Sequence, residues 1–253
     1  MNSRIAVLNI DILNTKIRDL LESFHAGVLF TPNIDHLVLL QKDYEFYCAY
    51  KHADVIVLDS QVLNILQKIV GKPFKEKISG VDFFSMFCDY HKHNKDIRLF
   101  LLGGLNNSVY KSTAILNRTM EREIVVGSYS APKNFEFDEN ACMGIIENIT
   151  KSGANVLVVG IGSPRQEKWI EKYRESLPAI RIFMAVGGTF DVIAEEKKRA
   201  PVWVQKIGLE WLFRLIQEPQ RLAYRYLVRD MQFFYYFMLD RLGMYKNPFD
   251  GKA

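Results

Sequence analysis

Residues Asn155 to Leu177 read NVLVVGIGSPRQEKWIEKYRESL. An unbroken apolar run ends at Gly160-Ile161-Gly162, and a segment with helical periodicity begins at Pro164. A run that is rich in Val, Ile and Leu and does not alternate reads as a strand buried on both faces, as in a parallel sheet. The same unit recurs on either side. Upstream stand RIAVLNI (Arg4 to Ile10), GVLFT (Gly27 to Thr31), DVIVLD (Asp54 to Asp59), IRLFLLG (Ile97 to Gly103) and IVVGSY (Ile124 to Tyr129), and downstream RIFMAVGG (Arg181 to Gly188). Helical stretches such as DHLVLLQKDYEFYCAYKHA lie between them. This alternation predicts an α/β fold, an open and mostly parallel sheet with helices on both faces joined by right-handed crossovers.

At 253 residues and 49% hydrophobic the chain has the material for a sizeable core. Cys48, Cys88 and Cys142 stand far apart without metal or disulfide spacing, which fits a reducing cytoplasm. The N-terminus MNSRIAVLNIDI lacks the features of a secretory signal. No segment reaches the roughly 18 uninterrupted apolar residues of a membrane span. The net charge of +4 is unevenly spread: Lys197 to Lys246 holds ten Lys/Arg against four Asp/Glu. After Ala200-Pro201 the pattern becomes helical, basic and aromatic, with a break expected at Pro219 and no further strand. The division expected is a core over 1–200 and an appendage over 201–253, docked rather than tethered.

Ligands of such sheets bind beyond the carboxyl ends of the strands. That rule selects Thr31-Pro32-Asn33, Asp59-Ser60-Gln61, Gly103-Gly104, Gly160-Ile161-Gly162-Ser163 and Gly187-Gly188-Thr189. Asp59 has the position of a general base, though Asp59-Ser60 is equally a helix-cap signal. Thr31 and Asn33 offer groups for sugar or phosphate oxygens, yet spacing alone favours Thr31-Pro32 as a helix start. In IGSPRQEKW, Ser163 reads as an N-cap, Pro164 as the first helical residue and Gln166 as the reach-back partner, with backbone N–H groups left over for a phosphate. Arg221, Arg225 and Arg229 follow i, i+4, i+8 spacing, with Arg214 upstream, a face suited to a pyrophosphate or anionic headgroups. Phe233 to Phe237 (FFYYF) reads as core, subunit contact or membrane-interface material. GxGxxG, GxxxxGK[ST] and HExxH are absent, so nicotinamide, P-loop and zincin chemistry lack their signatures. The histidines form no metal set, and His91-Lys-His93 reads as a solvated helix face. Nucleic acid is disfavoured because no recognition motif accompanies the charge.

Read together, TPNIDHLVLLQKD, HADVIVLDSQ, KEKISGVDFF, GIGSPRQEKWI, AVGGTFDVIA, KRAPVW and GLEWLFRLIQEPQR resemble the WecG/TagA/CpsF family of bacterial glycosyltransferases. The resemblance runs in order from about Thr31 to Arg229. It implies a Rossmann-like core with a C-terminal appendage that helps close the active site and engages the cytoplasmic face of the membrane. It also implies inverting transfer of an N-acetylmannosamine-type sugar from a UDP donor to an undecaprenyl-pyrophosphate-linked amino sugar, with no cofactor and no essential metal. The family's pocket threonine and asparagine fall on Thr31 and Asn33, its proposed catalytic aspartate on Asp59 and its pocket glutamine on Gln166. Its appendage arginines fall on Arg214 and Arg221, with Arg225 the candidate for a third. The pocket arginine is replaced by Lys77, which keeps the charge but loses the bidentate fork. Where family members commonly have Asp-Gly, this chain has Asp59-Ser60, so the identity of the sugar is less fixed than the reaction. Two rivals carry other classes of function: a membrane-recruited sugar-nucleotide or lipid scaffold without turnover, and an NAD-dependent sugar-nucleotide enzyme. The polymer being built and association with further copies are left open.

Overall fold

The computed structural model describes residues 3–104 and 107–252. Six strands form one parallel sheet: β3 (Gly27–Phe30), β4 (Val55–Ile56), β5 (Leu99–Gly103), β6 (Val125–Tyr129), β7 (Val156–Gly160) and β8 (Ile182–Ala185), in the order β4-β3-β8-β7-β5-β6. β1 (Ser3–Val7) and β2 (Ile10–Asn14) stand apart as an antiparallel hairpin. The α/β sheet with helices around it is therefore the observed architecture.

The apolar runs lack alternation because each face of the sheet has its own core. Phe30, Leu102, Leu157 and Val159 point into one core with Phe46, Tyr50, Ile145 and Trp169 from the helices Tyr44–Lys51, Glu139–Ser152 and Arg165–Tyr173. Leu29, Leu101, Val158 and Met184 point into the other with Leu20, Phe83, Phe87 and Leu116 from the helices Ile17–Ser23, Gly80–Tyr90 and Ser108–Met120. Residues one apart on a strand thus meet different helices, and both must be apolar.

Two expectations are corrected. Arg4 to Ile10 is not a strand of the parallel sheet. It folds back on itself at Leu8-Asn9, where Leu8 has φ +55°, and pairs Val7 with Ile10. In β2 Ile10 and Ile12 are buried while Asp11 is exposed, the alternation of a strand with one wet face. Nor is His91 on a solvated face. The helix stops at Tyr90, and His91 is buried with its ring 4.5 Å from that of Phe87.

Chain connections leave β5 and β7 in opposite directions, so their carboxyl ends form a topological switch point of the sheet. Gly103, Gly104, Gly160 and Gly162 lie there, and the first and third are used for packing. A Cβ on Gly103 (φ +121°) would stand 2.6 Å from the Gly160 carbonyl oxygen, and one on Gly160 would stand 2.7 Å from the Phe190 ring and 2.8 Å from the Gly187 carbonyl.

The tail is helical: Val202–Lys206, Glu210–Gln217, Pro219–Tyr224, a π-helical turn Arg225–Arg229 and Gln232–Arg241. Pro219 breaks it where expected, as the first residue of a new helix. The tail is docked. Phe233 and Phe237 enter the first core, while Phe234 and Tyr235 of the same FFYYF run are exposed. The Tyr245 hydroxyl donates to Gln41 Oε1 at 2.6 Å, and Phe249 packs against Tyr44 and Tyr47.

Gly160→Ala is expected to destabilise the protein by about 1–3 kcal/mol through overpacking. Gly144→Ala, in the Glu139–Ser152 helix where nothing lies near an added methyl group, is expected to stabilise it by about 0.5–1 kcal/mol. Urea denaturation of the two variants against the parent measures both.

Candidate active site

Asp59 follows the buried run Ile56, Val57, Leu58 at the sheet edge. Beyond the two residues of β4 the backbone stays in register with its neighbour, since Val57 N–H donates to the Phe30 carbonyl at 3.1 Å and Asp59 N–H to the Pro32 carbonyl at 3.0 Å. The cap of the next helix is Ser60, whose hydroxyl accepts from Leu63 N–H at 3.1 Å. Capping is thereby assigned to Ser60, and the Asp59 carboxylate is left to face a cavity.

The bond from Asp59 also corrects the reading of Thr31-Pro32. Because the Pro32 carbonyl is held in that ladder, Thr31 and Pro32 stay extended and the helix Ile34–Leu39 starts after them, capped by Asn33 Oδ1 accepting from His36 N–H at 3.3 Å. Thr31 is buried beneath, near the Gly80 backbone, and among the described residues its hydroxyl makes no hydrogen bond.

The cavity encloses about 360 Å³. The sheet edge contributes Asn33, Asp59, Ser60 and Lys77 to its wall, and the tail contributes Glu210, Arg214 and Arg225 on a background of aromatic and aliphatic side chains. Lys77 Nζ lies 4.0 Å from Asp59 Oδ1 and 3.4 Å from Glu210 Oε2, and Arg214 Nη2 lies 2.8 Å from Glu210 Oε1. Loss of hydration pushes the Asp59 carboxyl up to about 6, Lys77 opposing the rise and Glu210 adding to it. For Glu210 burial works against ionisation, but Arg214, Lys77 and Arg199 together hold its carboxyl below the ordinary range. Behind this group Arg199 grips Asp82 through both oxygens, at 2.6 and 2.7 Å.

A second charge cluster fastens the tail over the site. Asp35 is 2% exposed, and its two oxygens take Arg225 Nε at 3.2 Å and Arg229 Nε at 2.5 Å. Arg225 Nη2 also donates to Asn33 Oδ1 at 3.2 Å. Burial, with Asp35 next in effect, pushes the neighbouring Asp230 carboxyl up to about 7. The π-helical turn closes with Asp230 N–H donating to the Arg225 carbonyl at 2.8 Å, and Arg225 and Arg229, four residues apart, stay on one face and converge on one carboxylate. The arginine face expected from i, i+4, i+8 spacing is kept only by these two. Arg221 is exposed, pairs with Glu218 and does not line the cavity.

The glycine loops lie apart from this cavity. Ser163 is not the cap expected of it: the helix Arg165–Tyr173 begins after Pro164, and the Ser163 hydroxyl is buried without a partner. Gln166 does reach back, but to Gly162 N–H at 3.3 Å, and it also accepts from Gly187 N–H at 3.1 Å. Its Nε2 donates to Glu167 Oε1 at 2.8 Å. Gln166 thus ties the loop after β7 to the loop after β8. Added Cβ atoms on Gly162 and Gly187 would meet nothing, and one on Gly188 only Asp191 at 3.9 Å, so this stretch of loop is open. Gly104 is not, since its Cβ would stand 2.8 Å from the Ser108 hydroxyl. Behind Gln166 lies a buried network. The His36 ring, brought down to about 3 by burial, is 2.7 Å from the Tyr50 hydroxyl and 4.0 Å from Glu167, whose carboxyl burial pushes up to about 7.

Asp35, Glu210 and Glu167 were not legible as site residues. A single acid in a polar helical segment carries no periodic signal, although Asp35 sits in a helix first turn where acids are common. Among the described residues no group of three or more His, Cys, Asp or Glu is placed to hold a metal ion.

The model of the Glycosyl transferase WecG/TagA/CpsF family matches residues 1–247. The chain belongs to this family. It is accordingly a glycosyltransferase. The chain is also 28% identical over 194 residues to the N-acetylglucosaminyldiphosphoundecaprenol N-acetyl-beta-D-mannosaminyltransferase of Bacillus spizizenii, an alignment covering 77% of this chain and 72% of the relative. Ser60 is the residue expected to depart from the family resemblance beside Asp59. Its hydroxyl is directed at Leu63 N–H, yet the residue lines the cavity wall.

Asp35→Asn is expected to loosen the tail, because two arginines lose the charge they share. The free energy of local opening over residues 219–241 should fall by up to about 3 kcal/mol. Amide hydrogen exchange reads this as faster exchange there, with the sheet strands unchanged.

Proposed function

We propose that this glycosyltransferase moves an N-acetylmannosamine-type sugar from a UDP donor to an amino sugar carried on undecaprenyl pyrophosphate, with inversion and without an essential metal, in the synthesis of a cell-surface polysaccharide. The observation that carries the reading is the Asp59 carboxyl, raised to about 6 and lining a cavity that Lys77 from the sheet edge and Arg214 from the tail also line. A base and a cationic wall on one cavity suit a displacement in which a proton leaves one reactant and a diphosphate leaves the other. The named activity of the Bacillus spizizenii relative supplies the sugar and acceptor classes.

In this mechanism Asp59 takes the proton of the acceptor hydroxyl, and the oxygen attacks the anomeric carbon from the face opposite the diphosphate. The bond from that carbon to the diphosphate oxygen breaks, and UDP departs with the electron pair. Lys77, Arg214 and Arg225 neutralise the charge that gathers on it, the part a metal ion plays in other transferases. Asn33, on the cavity wall, orients the sugars, while Thr31, expected in the pocket, is buried beneath and does not line the cavity. The glycine loops at Gly160 to Gln166 and at Gly187-Gly188 are assigned to the donor, with Gln166 holding them in register.

Residues 1–200 form the catalytic core in this reading, and 201–253 an appendage that both closes the site and lies on the inner face of the cytoplasmic membrane. Trp203, Ile216, Tyr224 and Tyr235 of the tail are each more than 60% exposed, and apolar groups displayed in that number beside basic residues suit a lipid surface. Among the described residues no helix is long and apolar enough to cross a membrane.

Asp59→Asn should lower turnover by about 100-fold or more with UDP-N-acetylmannosamine and a lipid-linked N-acetylglucosaminyl diphosphate, read by UDP release and product mass. Near-normal turnover would remove Asp59 from the role of base. Because the carboxylate is the working form and its carboxyl is raised to about 6, kcat/KM should be lost as pH falls through about 6. In cosedimentation with anionic vesicles, Trp203→Glu combined with Ile216→Glu should move the protein to the supernatant. Unchanged partitioning would count against the membrane role of the tail.

A further inference from the structure

Four charges meet on the wall between the sheet edge and the tail: Asp59, Lys77, Glu210 and Arg214. Glu210 comes from a helix 133 residues beyond Lys77, and it holds the nearer side of that lysine, at 3.4 Å against 4.0 Å for Asp59. Its other oxygen takes Arg214 at 2.8 Å. Two cations and two carboxylates balance. Without Glu210 the two cations would face Asp59 alone, and the shortest move open to Lys77 is onto that carboxylate.

We propose that Glu210 is a positioning residue for glycosyl transfer, one that holds Lys77 and Arg214 against the tail and so keeps Asp59 from being consumed in an ion pair. The proposal rests on Asp59 being the base. A carboxylate closed into a direct pair with an ammonium group is a weaker base and presents fewer free lone pairs to a hydroxyl. Glu210 therefore solves a conflict inherent in the cavity: cations needed for a diphosphate stand within reach of the group that must take a proton. Glu210 and Arg214 share one tail helix, so docking the tail brings both to Lys77 together.

The groups acting on Asp59 come from every element around it. Lys77 and Arg214 lower its affinity for a proton, and Glu210 and Asp82 raise it. Asp59 in turn acts on Arg199 and on the buried Tyr50. Arg199 engages Asp82 through both oxygens, which fixes those two charges, so Lys77 is the charge free to change partner when Glu210 is altered.

The test uses the full chain labelled with carboxyl-13C aspartate, the Asp59 signal being assigned by its loss in Asp59→Asn. The parent should titrate near 6. In Glu210→Gln the midpoint should fall by about one pH unit, and in Lys77→Met it should rise above that of the parent. The acid limb of kcat/KM for UDP-N-acetylmannosamine should follow in the same directions, with a lower plateau in Glu210→Gln. Loss of the Glu210 charge by itself would lower the midpoint equally with or without Lys77, so in a Lys77→Met background Glu210→Gln should move it much less than in the parent, and an equal shift in the two backgrounds also overturns the proposal. An unmoved or raised midpoint in Glu210→Gln overturns the proposal, and if that variant does not fold, an unmoved or lowered midpoint in Lys77→Met does so. Failure of the base assignment is distinct: it would appear as an active Asp59→Asn, whatever Glu210→Gln does.

Discussion

The Asp35 carboxylate, buried in the first turn of the Ile34–Leu39 helix and shared by Arg225 and Arg229, joins the tail to the edge of the sheet. Everything that makes the cavity a site depends on that junction. Without it the sheet edge offers Asp59, Asn33 and Lys77 on an open ledge, and Arg214, Glu210 and the aromatic wall lie elsewhere. A buried carboxylate is costly to dehydrate unless cations meet it, so the tail arginines are under strong constraint to stay. Two arginines four residues apart reach one acid from one helix face, and Asp230, just after them, also turns inward to 3.9 Å from Arg225.

Charge is the second constraint. The cavity presents cations suited to a diphosphate, and it also presents a carboxylate that, on the mechanism proposed, has to remain basic. These demands conflict at a separation of about 4 Å, where an unmodulated ion pair is worth several kcal/mol even at intermediate dielectric. The protein resolves the conflict with acids placed behind the cations: Glu210 for Lys77 and Arg214, Asp82 for Arg199, and Asp35 for Arg225 and Arg229. In each case the acid is on a different segment from the cations or a helical turn away, so the arrangement exists only in the folded chain.

Much of the fold was legible in the sequence because a parallel sheet with two cores demands apolar residues on both faces, and six such runs are unmistakable. The hairpin was missed because the turn at Leu8-Asn9 carries no glycine and leaves the apolar run looking continuous. At the site, Asp59, Asn33, Lys77, Arg214 and Arg225 do line one cavity. Arg221 does not, since its side chain pairs with Glu218 and is exposed to solvent. Thr31-Pro32 and Ser163 looked like caps by residue type alone. Backbone pairing to Asp59 kept the first extended, and Gln166 took the loop that the second would have organised.

The sequence by itself determined most of the strands and helices, where the strands end, and the family, since these rest on periodicity and on ordered local motifs. It could not determine which charges would face one another. Lys77 and Glu210 are 133 residues apart, and Arg225 and Asn33 are 192 apart. Electrostatic interaction depends on distances of a few ångströms and on the water excluded between the groups. Those are set only when the tail closes over the edge of the sheet, so the tertiary structure decided the protonation of Asp59 and the company it keeps.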